Sequence, residues 1–411
     1  MTAIAFPLHT PIEGFEVIDG ELAIGGQRLT RLAARVGSTP FFAYSRALIE
    51  QRATHLRGQL PPGVHLHYAI KANPMPAVVH LLAGLTDGLD VASGREMRVA
   101  LDTGVAPDRV SFAGPGKSQA EIDQAVAAGI TLILESERQL EQALQAGRRL
   151  GIEPRLALRV NPSFELKGSG MKMGGGPKPF GIDEARVPAL AARIESEGLA
   201  LVGFHLYSGS QNLSAPALIE AQRLSVELGL ALAAPLRRGI RWLNIGGGFG
   251  VPYFPGDKAL DTAPVLEALA PLAEKTTRAG DAHLVIELGR YLVASAGVYV
   301  ARVIDRKESQ GQVFLVTDGG LHHHLAASGN FGQVIRKNYP VTIGNRIGQA
   351  EVSVQSVVGP LCTPLDLLAD RMLMPTAERD DLVVVFQSGA YGPTASPSGF
   401  LSHPESIEVL V

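Results

Sequence analysis

Four short stretches carry residues whose types and spacing could serve one cofactor. Lys71 closes an apolar run in Tyr68-Ala69-Ile70-Lys71-Ala72-Asn73, and burial there would turn its amine into a nucleophile for a Schiff base. Gly246, Gly247 and Gly248 follow a second apolar run, where consecutive backbone N–H groups can cradle a phosphate. Glu287 ends a third run; a buried carboxylate is costly unless a cation faces it, which Arg290 or a protonated ring nitrogen would supply. His205 ends a fourth. An amine, an anion site and an acid for a pyridine nitrogen are what pyridoxal 5'-phosphate needs. In that reading Lys71 carries the cofactor, and Gly246–Gly248 with Gly289 hold its phosphate. Glu287 keeps the ring protonated as an electron sink, and His205 lies against the ring face. Taken singly, each has a plainer reading: a snorkelling lysine, a core histidine, a glycine turn.

The elements that must position these groups alternate along the middle of the chain. Short apolar runs predict strands at Val64–Ile70, Gly88–Ala92, Val110–Phe112, Thr131–Leu134, Arg155–Val160, Leu201–Leu206, Trp242–Gly246 and His283–Glu287. Between them, helical spacing covers Ser93–Thr103, Ser118–Ala127, Ser136–Leu150, Asp183–Glu197, Ala215–Ala233 and Asp261–Arg278, several opening on Ser or Asp as N-caps. Eight strand–helix units fit an α/β (β/α)8 TIM barrel; a doubly wound sheet would alternate similarly, and the count of eight favours the barrel. Lys71, Asp90, Arg159, Asn161, His205, the glycine triplet and Glu287 then all fall at strand C-terminal ends, where barrel enzymes keep their chemistry.

Both chain ends read differently. Residues 1–40 and 291–411 show strand-like runs without long helical periodicity, so they are expected to form one β-rich domain, with 41–290 as the barrel. The glycine-rich loop Asn161–Ile182 is either a flexible surface loop or an active-site lid. The 411 residues are 46% hydrophobic and 19% charged, which excludes a disordered chain. A net charge of −3 gives no support to nucleic-acid binding. A single cysteine excludes an internal disulfide framework, and no secretory signal or membrane span is evident, so a cytoplasmic location is expected.

Six motifs in order resemble one family. They are His-Tyr-Ala-Ile-Lys-Ala-Asn (67–73), Gly-Phe-His-Leu-Tyr-Ser-Gly-Ser-Gln (203–211), Asn-Ile-Gly-Gly-Gly-Phe-Gly (244–250), Glu-Leu-Gly-Arg (287–290), Gly-Pro-Leu-Cys (359–362) and Ser-Gly-Ala-Tyr-Gly (388–392). Gly-Pro-Gly-Lys (114–117) also fits. Together they resemble the pyridoxal-phosphate decarboxylases of the alanine-racemase-like fold, the group holding diaminopimelate and ornithine decarboxylases. The resemblance implies a barrel plus a β-domain and removal of an amino acid's α-carboxylate. It implies that Lys71 bonds the cofactor, Glu287 contacts its pyridine nitrogen and His205 stacks on the ring. Ser208, Gly246–Gly248, Gly289, Arg290 and Tyr391 would surround the phosphate, with Asp90 supporting Lys71. It further implies a homodimer with shared active sites, into which Cys362 and Asp366 reach from the partner. Cys362, otherwise read as a small buried hydrophobe, matches the family residue that protonates the carbanion after carbon dioxide leaves.

The chain also departs from the diaminopimelate pattern. Thr363-Pro364-Leu365-Asp366 follows the cysteine where those enzymes have Glu-Ser-Gly-Asp. Asp318-Gly319-Gly320 runs into Leu321-His322-His323-His324, without their carboxylate-gripping arginine. The segment 322–340 is similar to a biosynthetic-cluster branch, exosortase-associated or acting on an aminoacyl group held by a carrier protein. There Arg336 and Lys337 either meet the phosphate of a carrier arm or form a solvated charge pair. Three consecutive histidines alternate in direction, so hydrogen bonding at the substrate mouth is favoured over a metal site. The competing readings are an amino-acid racemase on the same fold, opposed by Glu287, and a non-catalytic cofactor-binding regulator, opposed by intact Lys71, Cys362 and Glu287.

Overall fold

The structure is a computed structural model that describes residues 9–10, 12–164, 171–172, 175–280, 282–331, 333 and 336–411. It divides into two compact units, one of Arg52–Val251 and Ala259–Tyr291, the other of Met1–Gln51, Pro252–Lys258 and Leu292–Val411.

The first unit is a closed barrel. Its parallel strands are β1 (Val64–Ala69), β2 (Gly88–Val91), β3 (Val110–Phe112), β4 (Thr131–Leu134), β5 (Arg155–Asn161), β6 (Leu201–Leu206), β7 (Trp242–Gly247) and β8 (His283–Leu288). Each pairs with its neighbour in sequence; β8 pairs with β1, and β4 with β5, so no edge remains among the eight. The eight expected strands are therefore present within a residue or two of their bounds. Serine caps set several helix starts: Ser93, Ser118 and Ser136 each accept an N–H from three residues on, and Ser118 forms a reciprocal box with Glu121.

Two expected helices are shorter or divided. The stretch from Asp261 forms Ala263–Glu267 and Leu269–Gly280, because Pro271 has no N–H for the Glu267 carbonyl. Likewise Glu184–Arg186 is a tighter turn before the helix Val187–Ser196, which carries a proline in its first turn. One residue from each of five strands (Ile133, Ala157, Val202, Trp242 and Val285) packs into an apolar cluster.

The second unit is β-rich. Its main sheet runs Val341–Ile343, Leu382–Val385, Gly297–Ser309, Gln312–Thr317, Val352–Val358, Leu367–Pro375. Phe41–Tyr44 pairs antiparallel with Gly297–Ser309, and Ile407–Leu410 lies parallel to Phe41–Tyr44. The residues from 41 to 51 thus belong with the β-unit and not with the barrel, because Phe41–Tyr44 finds its ladder there. Residues 1–40, expected to carry no long helical periodicity, contain one short helix, Leu29–Val36, which buries Leu29, Leu32 and Ala33 against Phe41, Val298 and Val384. Among the described residues, no helix is long and apolar enough to cross a membrane.

Candidate active site

Lys71 sits on a 3-10 turn, Ile70–Ala72, directly after β1. Buried Ile70 and Ala72 flank it, and the Tyr68 hydroxyl fixes the turn by donating to the Asn73 carbonyl at 2.9 Å. The Lys71 ammonium lies 5.3 Å from the centre of the Tyr207 ring.

The acid is held from two sides. His205 Nε2 donates to Glu287 Oε2 at 2.9 Å, and Asn244 Nδ2 reaches the same oxygen at 3.4 Å. Both His205 and Glu287 are buried. Burial alone would raise the carboxyl pKa of Glu287. The His205 hydrogen bond and the positive charges of His205, Lys71 and Arg159 more than reverse that, leaving it at about 2. Asn244 also accepts the Gly246 N–H at 2.8 Å, so one amide fixes both the acid and the start of the glycine turn.

That turn tolerates no side chain. A Cβ on Gly247 would lie 2.3 Å from the Glu287 carbonyl oxygen, and one on Gly248 2.5 Å from that of Gly209. Gly246 and Gly248 have φ of +68° and +75°. Gly289 is equally confined, since its Cβ would meet that of Ala72 at 2.9 Å, on the turn that carries Lys71. Ser208 is buried beside the same turn, lining a small cavity with Gly246 and Gly247. Arg290 opens the short helix Arg290–Val293 just after β8.

Asp90, on β2, accepts from His67 Nδ1 at 3.1 Å and from the Ser111 hydroxyl through Oδ1, while its buried Oδ2 has no partner among the described residues. Burial would lower the pKa of His67, but Asp90 and Glu287 raise it above the ordinary imidazole value. A second buried pair lies nearby in the barrel: Arg159 Nη1 meets Glu135 Oε1 at 3.1 Å, and Glu135 also accepts the N–H groups of Gly114 and Gly181. Burial lowers Lys117 to about 8, and its ammonium donates to Gly114, Ile133 and Gln139.

Ser111 and Glu135 escaped the sequence reading, and His67 and Asn244 entered it only as motif residues without a role. A signal existed for Asn244, which lies two residues before Gly246 on β7 and so shares its strand face. The expected lid has its glycines 168, 170 and 174 outside the described residues.

In the β-unit, Cys362 is exposed. Asp366 is buried and accepts the N–H groups of Leu321 and Leu361 at 2.7 and 2.9 Å, so its carboxylate ties two loops together. Desolvation raises its pKa. Arg336, weighed as a contact for a carrier arm's phosphate or as half of a solvated charge pair, is half-buried and clamps loops: its three guanidinium nitrogens donate to Ser328 O, Asn338 Oδ1 and Leu367 O. Lys337 is exposed, with its ammonium 5.7 Å from the Phe254 ring centre. Tyr391 adopts a φ of +54°. The histidine triplet diverges, with His323 bonding Tyr299 and Pro404, His324 bonding Ser388, and both nitrogens of buried His322 without a partner among the described residues.

Residues 46–294 match the family described as pyridoxal-dependent decarboxylase, pyridoxal binding domain. The chain belongs to the pyridoxal-dependent decarboxylases. It is 36% identical to an L-glutamyl-[BtrI acyl-carrier protein] decarboxylase from Niallia circulans, over 93% of this chain and 90% of the relative. It is 33% identical to the diaminopimelate decarboxylase of Aquifex aeolicus, over 96% and 92%. Among solved structures, the Helicobacter pylori diaminopimelate decarboxylase complexed with L-lysine superposes with a TM-score of 0.82 at 27% identity, covering 93% of this chain and 94% of that one.

The residues present fit the cofactor of a pyridoxal-dependent decarboxylase. The glycine turn is a cradle that any Cβ would fill, and Glu287 is held anionic, as a partner for a protonated ring nitrogen must be. Once bound, pyridoxal phosphate takes up the electron pair left when a carboxylate departs from an amine-bearing carbon. The enzyme is accordingly a carboxy-lyase acting through that cofactor.

Proposed function

We propose that this decarboxylase acts on an aminoacyl group, of glutamyl type, held on a carrier protein. The observation that carries this reading is the 36% identity, along 93% of the chain, to a relative whose name specifies that substrate. Two departures from the diaminopimelate pattern support it: Thr363-Pro364-Leu365 after Cys362, and Leu321-His322-His323 after Gly320, supply neither an acid nor an arginine for a second, free amino-acid terminus.

In this reading Lys71 would hold the cofactor through its amine. Gly246–Gly248, Ser208, Gly289, Arg290 and Tyr391 bind the phosphate. Glu287 would hold the proton at the ring nitrogen, and His205, which fixes Glu287, would lie against the ring. Asp90 supports Lys71. The bond from Cα to the carboxylate breaks and carbon dioxide leaves. The retained electron pair takes a proton from the Cys362 thiol, forming the new C–H bond. The working assembly is a homodimer in which Cys362 serves the partner's barrel, with Asp366 holding the Cys362 loop.

The test is carbon dioxide release by cofactor-loaded enzyme from glutamyl-loaded carrier protein, free glutamate, diaminopimelate and ornithine, with Lys71→Ala as control. Release from the thioester alone, abolished by Lys71→Ala, is the expected result. Release from a free amino acid in preference to the thioester would overturn the carrier-linked reading.

A further inference from the structure

The end of the barrel opposite the cofactor residues is open. In barrels of this type the N-terminal ends of the strands are usually closed by packed, branched side chains. Here a cavity of about 900 Å3 lies among the N-terminal ends of β1 and β3–β8. That is the size of a small-molecule site.

Its walls mix apolar side chains with polar ones that a purely aliphatic plug would lack. His65 on β1 and His283 on β8 stack with ring centres 4.0 Å apart. Thr131 on β4 is buried, and its hydroxyl has no partner among the described residues. The same holds for the buried Nε of Arg155, at the start of β5. Two further guanidiniums stand at the mouth: Arg109, braced by the carbonyls of Thr86 and Asp87, and exposed Arg241. Buried donors without acceptors are costly, and a ligand oxygen would satisfy them.

The charge selects the ligand. Of the acids in the lining, Asp87 is already engaged by Arg57 and by the Leu66 N–H. Asp108 and Glu153 are exposed, where solvent screens them. Among the described residues, no carboxylate lies within ion-pair distance of Arg155 or Arg241. Burial lowers both stacked imidazoles, His283 to about 4, so at neutral pH they are uncharged.

We infer that the N-terminal mouth of the barrel is a binding site for a small oxyanion, a carboxylate or phosphate group seated on Arg155 and Thr131 and gripped by Arg241. The site is separate from the cofactor residues, yet its inner wall includes His67 and Ser111, both bonded to Asp90.

Trp242 lines this cavity and is the one tryptophan of the chain, which gives a direct readout. Holoenzyme carrying 5-fluorotryptophan is titrated with inorganic phosphate and with citrate, against sodium chloride at matched ionic strength, and the single fluorine resonance is followed. A saturable shift with phosphate, citrate or both is expected, and which one saturates identifies the anion class. Arg155→Gln and Arg241→Gln should each weaken the midpoint by roughly tenfold or more, with carbon dioxide release by the unliganded enzyme unchanged. Arg241→Gln, at the exposed mouth, keeps the test open if Arg155→Gln does not fold. No saturable shift with either anion, or an unchanged midpoint in the folded variants, overturns the inference.

Discussion

His205 and Glu287 meet at 2.9 Å, Nε2 to Oε2, with both side chains buried. The two residues come from non-adjacent strands, β6 and β8, so the contact spans β7 and depends on the closed barrel. It explains how a carboxylate survives as an anion where desolvation would neutralise it.

Glu287→Gln keeps the shape and removes the charge. Decarboxylation should fall by about 10²-fold or more, the scale of losing one electrostatic stabiliser in a closed site. Single-turnover carbon dioxide release, with cofactor occupancy checked by absorbance, measures it. Retention of full activity would remove Glu287 from the chemistry.

The same pair sets a pH dependence of stability. The folded pKa of Glu287 is depressed from 4.5 to about 2, so its contribution is present above the unfolded value and is lost as pH falls towards about 2. Urea midpoints of wild type and Glu287→Gln should therefore converge as the buffer is acidified across that window. A gap that widens on acidification would contradict the assignment.

Gly247→Ala tests the cradle. Its Cβ would lie 2.3 Å from a backbone oxygen that cannot rotate away, so a loss of about 1–3 kcal/mol is expected. Weaker uptake of pyridoxal phosphate should accompany it. Gly84→Ala, in the helix Pro76–Leu85 with open space around it, is the control and should be neutral or slightly stabilising. Urea unfolding and a cofactor absorbance titration separate the two effects.

Mixing subunits tests the shared site. Lys71→Ala and Cys362→Ala enzymes should each be nearly inactive alone. Mixed, unfolded and refolded together, they should regain about one quarter of wild-type activity, since half the dimers are mixed and each then holds one intact site. No recovery, with mixed dimers shown by mass spectrometry, would mean that Cys362 serves its own barrel or none.

Arg336→Lys separates a clamp from a substrate contact. A lysine cannot reach Ser328, Asn338 and Leu367 together, so stability should drop by about 1–2 kcal/mol. The KM for the carrier-linked substrate should not change. A KM rise without destabilisation would restore Arg336 to the substrate.

The barrel was legible because its strands are short apolar blocks separated by capped helices, and because Lys71, His205, Gly246 and Glu287 each stand at a block's end. The β-unit was less so. Phe41–Tyr44 is buried at all four positions and has no alternation to mark its face. In Leu367–Pro375 the period of two is broken at Arg371, which has a φ of +47°, opposite a register shift in Val352–Val358. The clamp made by Arg336 was hidden for a different reason. Its acceptors are backbone carbonyls and one amide, and no residue type in the sequence announces a free carbonyl.

Because β8 closes the barrel against β1, Glu287 stands in register with His67, four residues before Lys71, although some two hundred residues separate them in the chain. A nascent chain therefore displays its lysine long before its acid. Until β8 has left the ribosome, β1 has one ladder open and Lys71 has no Glu287 near it. Translation halted ahead of that strand yields a polypeptide with the nucleophile but without the acid that would keep a cofactor ring protonated, so the site is completed only late in synthesis.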